Sequence, residues 1–420
     1  MLQRVLRIAA LVGVAVMPAA ASAATGTAPP VTIKAYTVPR GTYPGVALTA
    51  ALSNGPSRYE TVKIKIKVQR TVKVKIKVGK KHKTVLRTVT KTKIKRVKEN
   101  VASAQDWIVV SASTSSDLLS VSPTGQMTLV ATGLLPQGNV PSGQISPLPG
   151  YGSVEADGRV WLLDYSVSPA PLYAIGPGGA ITLAASLQGD FTGLTVSGNT
   201  LLATDNSGFI DKCAISKQAT ASCTAVPVPL TFDNGQVDAI GTAGGHFWFT
   251  DDSGELGLFR AANNSFSGPF GDHTVSGVSA GEASSDLGTI TASSAGALYL
   301  AGGQEADADF QNNLILRVNT KTGGLAHTYS TGLTNVVAMT GGADGNIWFL
   351  DETNSTTGVG KVGMLNTTTG RIYEYALPKG YRLPASAFAI GSGPQSSDTV
   401  FFTLQTTVGA HAAVGVVSGI

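Results

Sequence analysis

The stretch from Gly341 to Pro378 reads GGADGNIWFLDETNSTTGVGKVGMLNTTTGRIYEYALP, and it limits the fold more than any other part of the chain. A Gly/Asp turn leads into an aromatic strand that ends in acid. A polar loop, a second strand, a Thr-Gly turn and a third strand closing on Pro follow. Each joint carries the Gly, Asp, Asn or Thr residues that tight turns favour, and each strand between them is short.

Weaker copies of this phrase recur along the chain. Aligned on the aromatic strand there are seven: Trp107-Ile108-Val109-Val110, Val160-Trp161-Leu162-Leu163, Leu201-Leu202-Ala203-Thr204, Phe247-Trp248-Phe249-Thr250, Leu298-Tyr299-Leu300, Ile347-Trp348-Phe349-Leu350 and Val400-Phe401-Phe402-Thr403. Their starts lie 41 to 53 residues apart. Four short strands per repeat at this period predict propeller blades. After Val400 the chain has room for one more strand, from about Ala410 to Val417, so the last blade lacks a strand. Residues Ile33 to Pro39 match Ile372 to Pro378 as I-x-x-Y-x-apolar-Pro. Residues 31–39 are therefore expected to supply the outer strand of that blade and close the ring, which removes its open edges. The predicted fold is all-β: a seven-bladed β-propeller over residues 24–420, closed by an N-terminal strand, with an insert at 57–100.

Residues 1–23 read as a signal peptide. Arg4 and Arg7 form a basic start, Ile8 to Met17 an apolar stretch too short to span a bilayer, and Ala21-Ser22-Ala23 a cleavage site. A secreted, periplasmic or cell-surface location follows. There the two cysteines, Cys213 and Cys223, are expected to form a disulfide across the polar turn between them.

The formal net charge of +5 conceals two opposite parts. Residues 61–98 hold 16 of the 31 Lys and Arg and no Asp or Glu. Without these and the two signal-peptide Arg, 13 basic residues face 26 acidic ones. The insert is strongly cationic, and the propeller body is acidic.

D-G-N-I-W-F-x-[DE], V-G-K-V and T-G-R-I-Y-E-Y-x-L-P, as they stand between Asp344 and Pro378, resemble the blade repeat of streptogramin B (virginiamycin B) lyases and their relatives. The resemblance is close over 341–378, fair over 156–186 and 239–260, and weaker elsewhere. It implies a seven-bladed propeller. For lyase members it implies carbon–oxygen bond elimination that opens a cyclic depsipeptide ester, with a bound Mg²⁺ and a His general base in a Pro-His-Gly connection between blades.

The corresponding connections here, 39–45, 147–152 and 378–384, contain no His. His273 alone falls between blades, where a base could face the axis; His82, His246, His327 and His411 fall elsewhere. Asp164, Asp205, Asp251 and Asp351 end their strands in one register, with Asp252 and Glu352 following two of them. Two roles are open to these acids: ligands for Mg²⁺ or Ca²⁺, both of which prefer carboxylate oxygen, or acceptors for the N–H groups of the next turn. The acidic loop Glu305 to Asp309 is a further candidate for cation binding, or else a solvated tip.

In the insert, Val62, Ile64, Ile66, Val68, Val72, Val74, Ile76 and Val78 alternate with Lys63, Lys65, Lys67, Lys73, Lys75 and Lys77. A period of two predicts a strand with one apolar and one cationic face. Gly79 to Lys83 reads as the turn and Thr84 to Lys98 as the return strand, either as one long ribbon or as two shorter hairpins turning at Gln69-Arg70. The lysines suit an anionic cell-envelope polymer or a membrane surface, and the apolar face suits self-association. They also suit plain protection of an exposed edge. Aromatic residues are nearly absent, and sequence-specific nucleic-acid binding is not expected. Two functions follow from the sequence: an exported binding or surface-interaction module, or a divalent-cation-dependent lyase using His273.

Overall fold

The computed structural model describes residues 28–38, 48–54, 58–78, 81–101, 106–112, 115–122, 124–131, 151–164, 168–176, 179–189, 191–232, 237, 239–251, 255–270, 290–293, 295–304, 311–354, 357–384, 390–392, 399–409 and 411–420. These residues form strands and turns and no helix. The architecture is a β-propeller.

Six sheets have four antiparallel strands each. The first runs through Leu48–Asn54, Asp106–Ala112, Ser115–Val121 and Met127–Ala131, and the second through Tyr151–Ala156, Arg159–Asp164, Ala170–Ile175 and Ile181–Leu187. The third comprises Phe191–Ser197, Thr200–Asp205, Phe209–Ile215 and Ala221–Pro227; the fourth comprises Ala239–Ala243, His246–Thr250, Leu256–Arg260 and Ser265–Ser267. The fifth contains Ile290–Ala292, Leu298–Gln304, Gln311–Val318 and Leu325–Tyr329; the sixth contains Val336–Gly341, Ile347–Asn354, Val359–Leu365 and Ile372–Ala376. All seven predicted aromatic segments lie on strands.

The expected seven four-stranded blades are met by six. The last repeat forms a five-stranded sheet instead. Its leading segment is split into two short strands, Tyr381–Arg382 and Ile390–Ser392, and both pair with Thr399–Thr406. Ala412–Ser418 pairs with the other side of that strand, and Thr32–Thr37 then pairs with Ala412–Ser418, Thr32 opposite Ser418 and Thr37 opposite Ala413. The first strands of successive sheets lie beside one another in cyclic order, from Leu48–Asn54 round to Ile390–Ser392 and back to Leu48–Asn54.

The core lies between the faces of adjoining sheets. Trp161, Leu163, Leu201 and Cys213 pack between the second and third; Leu202, Phe247, Phe249 and Phe259 between the third and fourth. Leu119 and Val121 of the first sheet meet Phe401, Val414 and Val416 of the five-stranded one. The repeated phrase has a local physical basis in its Trp. The indole N–H of Trp161 donates to Ala156 O and that of Trp248 to Ala243 O, each at 3.3 Å, so the buried ring ties its strand to the turn before it. That turn needs left-handed backbone, as at Asp157 (φ 51°) and Gly158 (φ 71°), which is why the Asp-Gly sequence recurs.

Cys213 and Cys223 are directly opposed residues of neighbouring strands and form the expected disulfide. It closes a short loop, so its loss is expected to cost about 2–3 kcal/mol. Urea unfolding with and without reductant checks this: the midpoint falls on reduction while the strand signal in water is retained.

Candidate functional site

Asp164 and Asp205 end their strands as the sequence predicts, Asp251 follows the last residue of its strand, the strand of Asp351 continues to Asn354, and all four acids are buried. Their hydrogen bonds show what they do in the fold. Asp205 Oδ1 accepts from the Ser207 and Phe209 N–H groups at 2.8 and 3.1 Å, and Asp251 Oδ1 from the Glu255 N–H at 2.7 Å. Asp351 Oδ1 accepts from the Asn335 and Thr334 N–H groups at 2.6 and 3.1 Å, in the chain crossing from the fifth sheet to the sixth. The Asp205 carboxylate lies so close to Gly189, in the crossing from the second sheet to the third, that a Cβ there would meet Oδ2 at 2.5 Å. Asp205, Asp251 and Asp351 therefore bind backbone donors of turns and sheet crossings. Among the described residues no three His, Cys, Asp or Glu side chains gather closely enough to hold a metal ion.

Two of these acids have carboxyl neighbours that the repeat did not reveal. Burial, and then the Asp205 carboxylate, push the buried Asp211 up to about 6. Burial also pushes Asp351 up to about 6; the adjacent Glu374 carboxyl adds to the rise, and the Asn335 and Thr334 N–H groups oppose it. Glu374 is itself bound by Lys361 Nζ at 2.6 Å, and Lys361 lies directly opposite Asp351 across the strands. Burial raises Glu352 as well, against a hydrogen bond from Asn335. Tyr-Glu-Tyr of the outer strand was the available signal for Glu374, but period-two alternation alone does not tell which strand it faces.

His273 and the Glu305 to Asp309 loop lie outside the described residues, as do His82's side chain and Asp252. His246 is exposed at the start of its strand; the His327 ring lies 4.4 Å from that of Tyr329.

The largest departure from the sequence reading is in the insert. Arg58–Val78 and Lys81–Val101 pair without interruption, so the ribbon is one hairpin of two 21-residue strands, roughly 70 Å long. The strands stop and resume at Val78 and Lys81, nearer together than the predicted turn, and this determines the register. Ile64 is opposite Lys95, Ile66 opposite Lys93, Val68 opposite Lys91, Val72 opposite Arg87 and Ile76 opposite Lys83. Lys65 is opposite Ile94, Lys67 opposite Thr92, Lys73 opposite Leu86 and Lys75 opposite Thr84. Directly opposed residues of an antiparallel pair share a face. The expected division into one apolar and one cationic face is therefore corrected: the return strand reverses the alternation of the first, and each face carries both kinds of residue.

The physical reason is charge. A register one residue over would keep the lysines on one face but would set Lys65 opposite Lys95, Lys67 opposite Lys93, Lys73 opposite Arg87 and Lys77 opposite Lys83. Directly opposed like charges are destabilising. In the observed register Lys63 and Arg96 are the one pair of cations opposed in this way, with Glu60 opposite Glu99 at the base of the hairpin. The ribbon leaves the first sheet between its first and second strands. That is the end of the sheet away from the one at which second strands finish on Asp.

Models of known protein families give no match to this sequence, and neither do curated proteins. Solved structures do. Virginiamycin B lyase from Staphylococcus aureus is 20% identical with a TM-score of 0.43, covering 64% of this chain and 94% of that one. The WD40 propeller domain of Doa1 is 13% identical with a TM-score of 0.50, covering 76% of this chain and 90% of that one. Kluyveromyces lactis Hsv2 is 11% identical with a TM-score of 0.43, covering 72% and 86%. The likeness is one of fold. No helix among the described residues is long and apolar enough to cross a membrane.

Proposed function

We propose that the chain is an exported binding or surface-interaction module, in which the propeller carries the basic ribbon and the ribbon contacts an anionic envelope polymer. One observation carries the reading: the strands pair as a single long hairpin, and between Thr61 and Lys98 the hairpin holds sixteen cations and no acid. Rows of lysine at every second residue repel one another along a strand, and between Thr61 and Lys98 the sequence supplies no acid to neutralise them. A flexible polymer bearing phosphate, sulfate or carboxylate groups would do so and would release its own counterions. The disulfide and the leader-like N-terminus support export, where such polymers are found.

Deleting residues 57–100 tests this. The shortened protein is expected to lose retention on immobilised heparin and on purified cell-wall material at low ionic strength, with its Trp fluorescence and urea midpoint unchanged. Unchanged retention of the shortened protein would sink the reading.

A further inference from the structure

The register divides the ribbon's cations almost evenly. Lys63, Lys65, Lys67, Lys73, Lys75 and Lys77 run along the first strand on one face, joined at the base by Arg96 and Lys98. Lys81, Lys83, Arg87, Lys91, Lys93 and Lys95 run along the return strand on the other face, joined by Arg70. Within each row the closest neighbours are two residues apart, which is about 7 Å. The rows follow different strands and opposite faces, so they stay separated by the ribbon at every level, however the hairpin twists. Lys73, Thr84, Thr88 and Thr90 lie on the first of these faces and are exposed.

We infer that the ribbon is bivalent: each face takes its own linear polyanion, and a single copy of the protein bridges two polymer chains. This rests on the polyanion reading above and deepens it. A ribbon with all its lysines on one face would hold one chain and leave the other face apolar. The observed register produces two rows of similar charge, and one flexible chain can lie along only one of them without wrapping round the edge. Bridging then follows from geometry and not from oligomerisation.

The test uses the full chain, heparin coupled to beads, and fluorescently labelled heparin in solution, at low ionic strength. Protein is bound to the beads, unbound protein is washed away, and labelled heparin is added. Two variants lose equal charge. In one, Lys63, Lys65, Lys67, Lys73, Lys75 and Lys77 are all replaced by Gln, which empties the first-strand row and leaves that face only Arg96 and Lys98 at its base. In the other, Lys63, Lys67, Lys75, Lys81, Lys91 and Lys95 are replaced by Gln, which thins both rows. The wild-type protein and the thinned variant are expected to capture labelled heparin, whereas the emptied-row variant stays on the beads but loses the capture.

Equal capture by the two variants overturns bivalency. So does a wild-type protein that is retained but captures nothing, an outcome that leaves the polyanion reading standing. If the wild-type protein is not retained at all, both fall. Sedimentation without heparin adds a control: a wild-type dimer that the emptied row abolishes would mean that a second copy supplies the bridge, and that also overturns the inference.

Discussion

Replacing Gly257 by Val is expected to destabilise the fold by on the order of 3 kcal/mol. Gly257 is directly opposite Phe249 on the neighbouring strand, and a Cβ at Gly257 would overlap the Phe249 ring. The ring is fully buried and has little freedom to move. Phe232 meets it edge-on at 4.9 Å and Phe266 at 6.0 Å. The same pair recurs as Phe349 with Gly363 in the sixth sheet and Phe402 with Gly415 in the five-stranded one. In each case the ring covers the glycine of the next strand, so a large side chain and none together fill one place in the core. Urea unfolding of Gly257→Val, Phe249→Ala and the double variant measures the coupling. Because the added valine partly fills the space vacated by the ring, the double variant should lose at least about 1 kcal/mol less than the sum of the single ones. Additive losses would show that the pairing has no steric meaning.

The second large effect is a dependence of stability on pH. Asp211 stands at about 6 in the folded protein against an ordinary 3.8. Between those values the folded state keeps a proton that the unfolded chain has released. Its contribution is therefore fully present below about pH 4 and is lost as the pH rises through about 6. By linkage the change amounts to about 3 kcal/mol for this group. Asp351, buried beside Glu374, acts in the same direction. Asn at 211 never carries the charge. Asp211→Asn is expected to gain stability relative to the wild type as the pH climbs from 4 to 6, and to hold that gain above 6.5. Urea titrations across this range at constant ionic strength decide the matter; a difference between the two proteins that does not vary with pH would remove the buried-carboxyl account.

Much of the fold was legible because it follows from short-range rules. Period-two alternation, Asp-Gly and Thr-Gly turns and the spacing of the aromatic segments placed the second strand of every sheet. The disulfide was legible from two cysteines flanking one turn. Two of the four acids end their strands as read, but the role of none was determined by the sequence, since an Asp after an aromatic strand segment looks the same whether it binds a cation or, as Asp351 does, the Thr334 and Asn335 N–H groups. The Gly–Phe pairs were missed because their partners lie on different strands, and a glycine in a strand shows no pattern of its own. Glu374 and Asp211 were missed for the same reason: each acquires its carboxyl neighbour only through pairing or proximity in space.

The ribbon separates the two kinds of information most clearly. The amino-acid sequence alone determined that Thr61 to Lys98 is extended, cationic and free of acid, because alternation and charge are properties of single strands. Which residues share a face was decided by tertiary pairing. That depends on where the hairpin turns, and a one-residue slip moves a whole strand to the opposite face. The observed pairing sets each cation, Lys63 and Arg96 excepted, opposite an uncharged partner, and by avoiding repulsion it divides the charge between two faces. The same holds for the last repeat. Its outer strand at 31–39 was expected from the I-x-x-Y-x-apolar-Pro match, but only the three-dimensional pairing split its leading segment into two short strands and made it a five-stranded sheet. A hydrogen-bond partner distant in the chain leaves a mark on local sequence only where, as at residues 31–39, a repeat exposes it; where a strand breaks depends on contacts that no local pattern records.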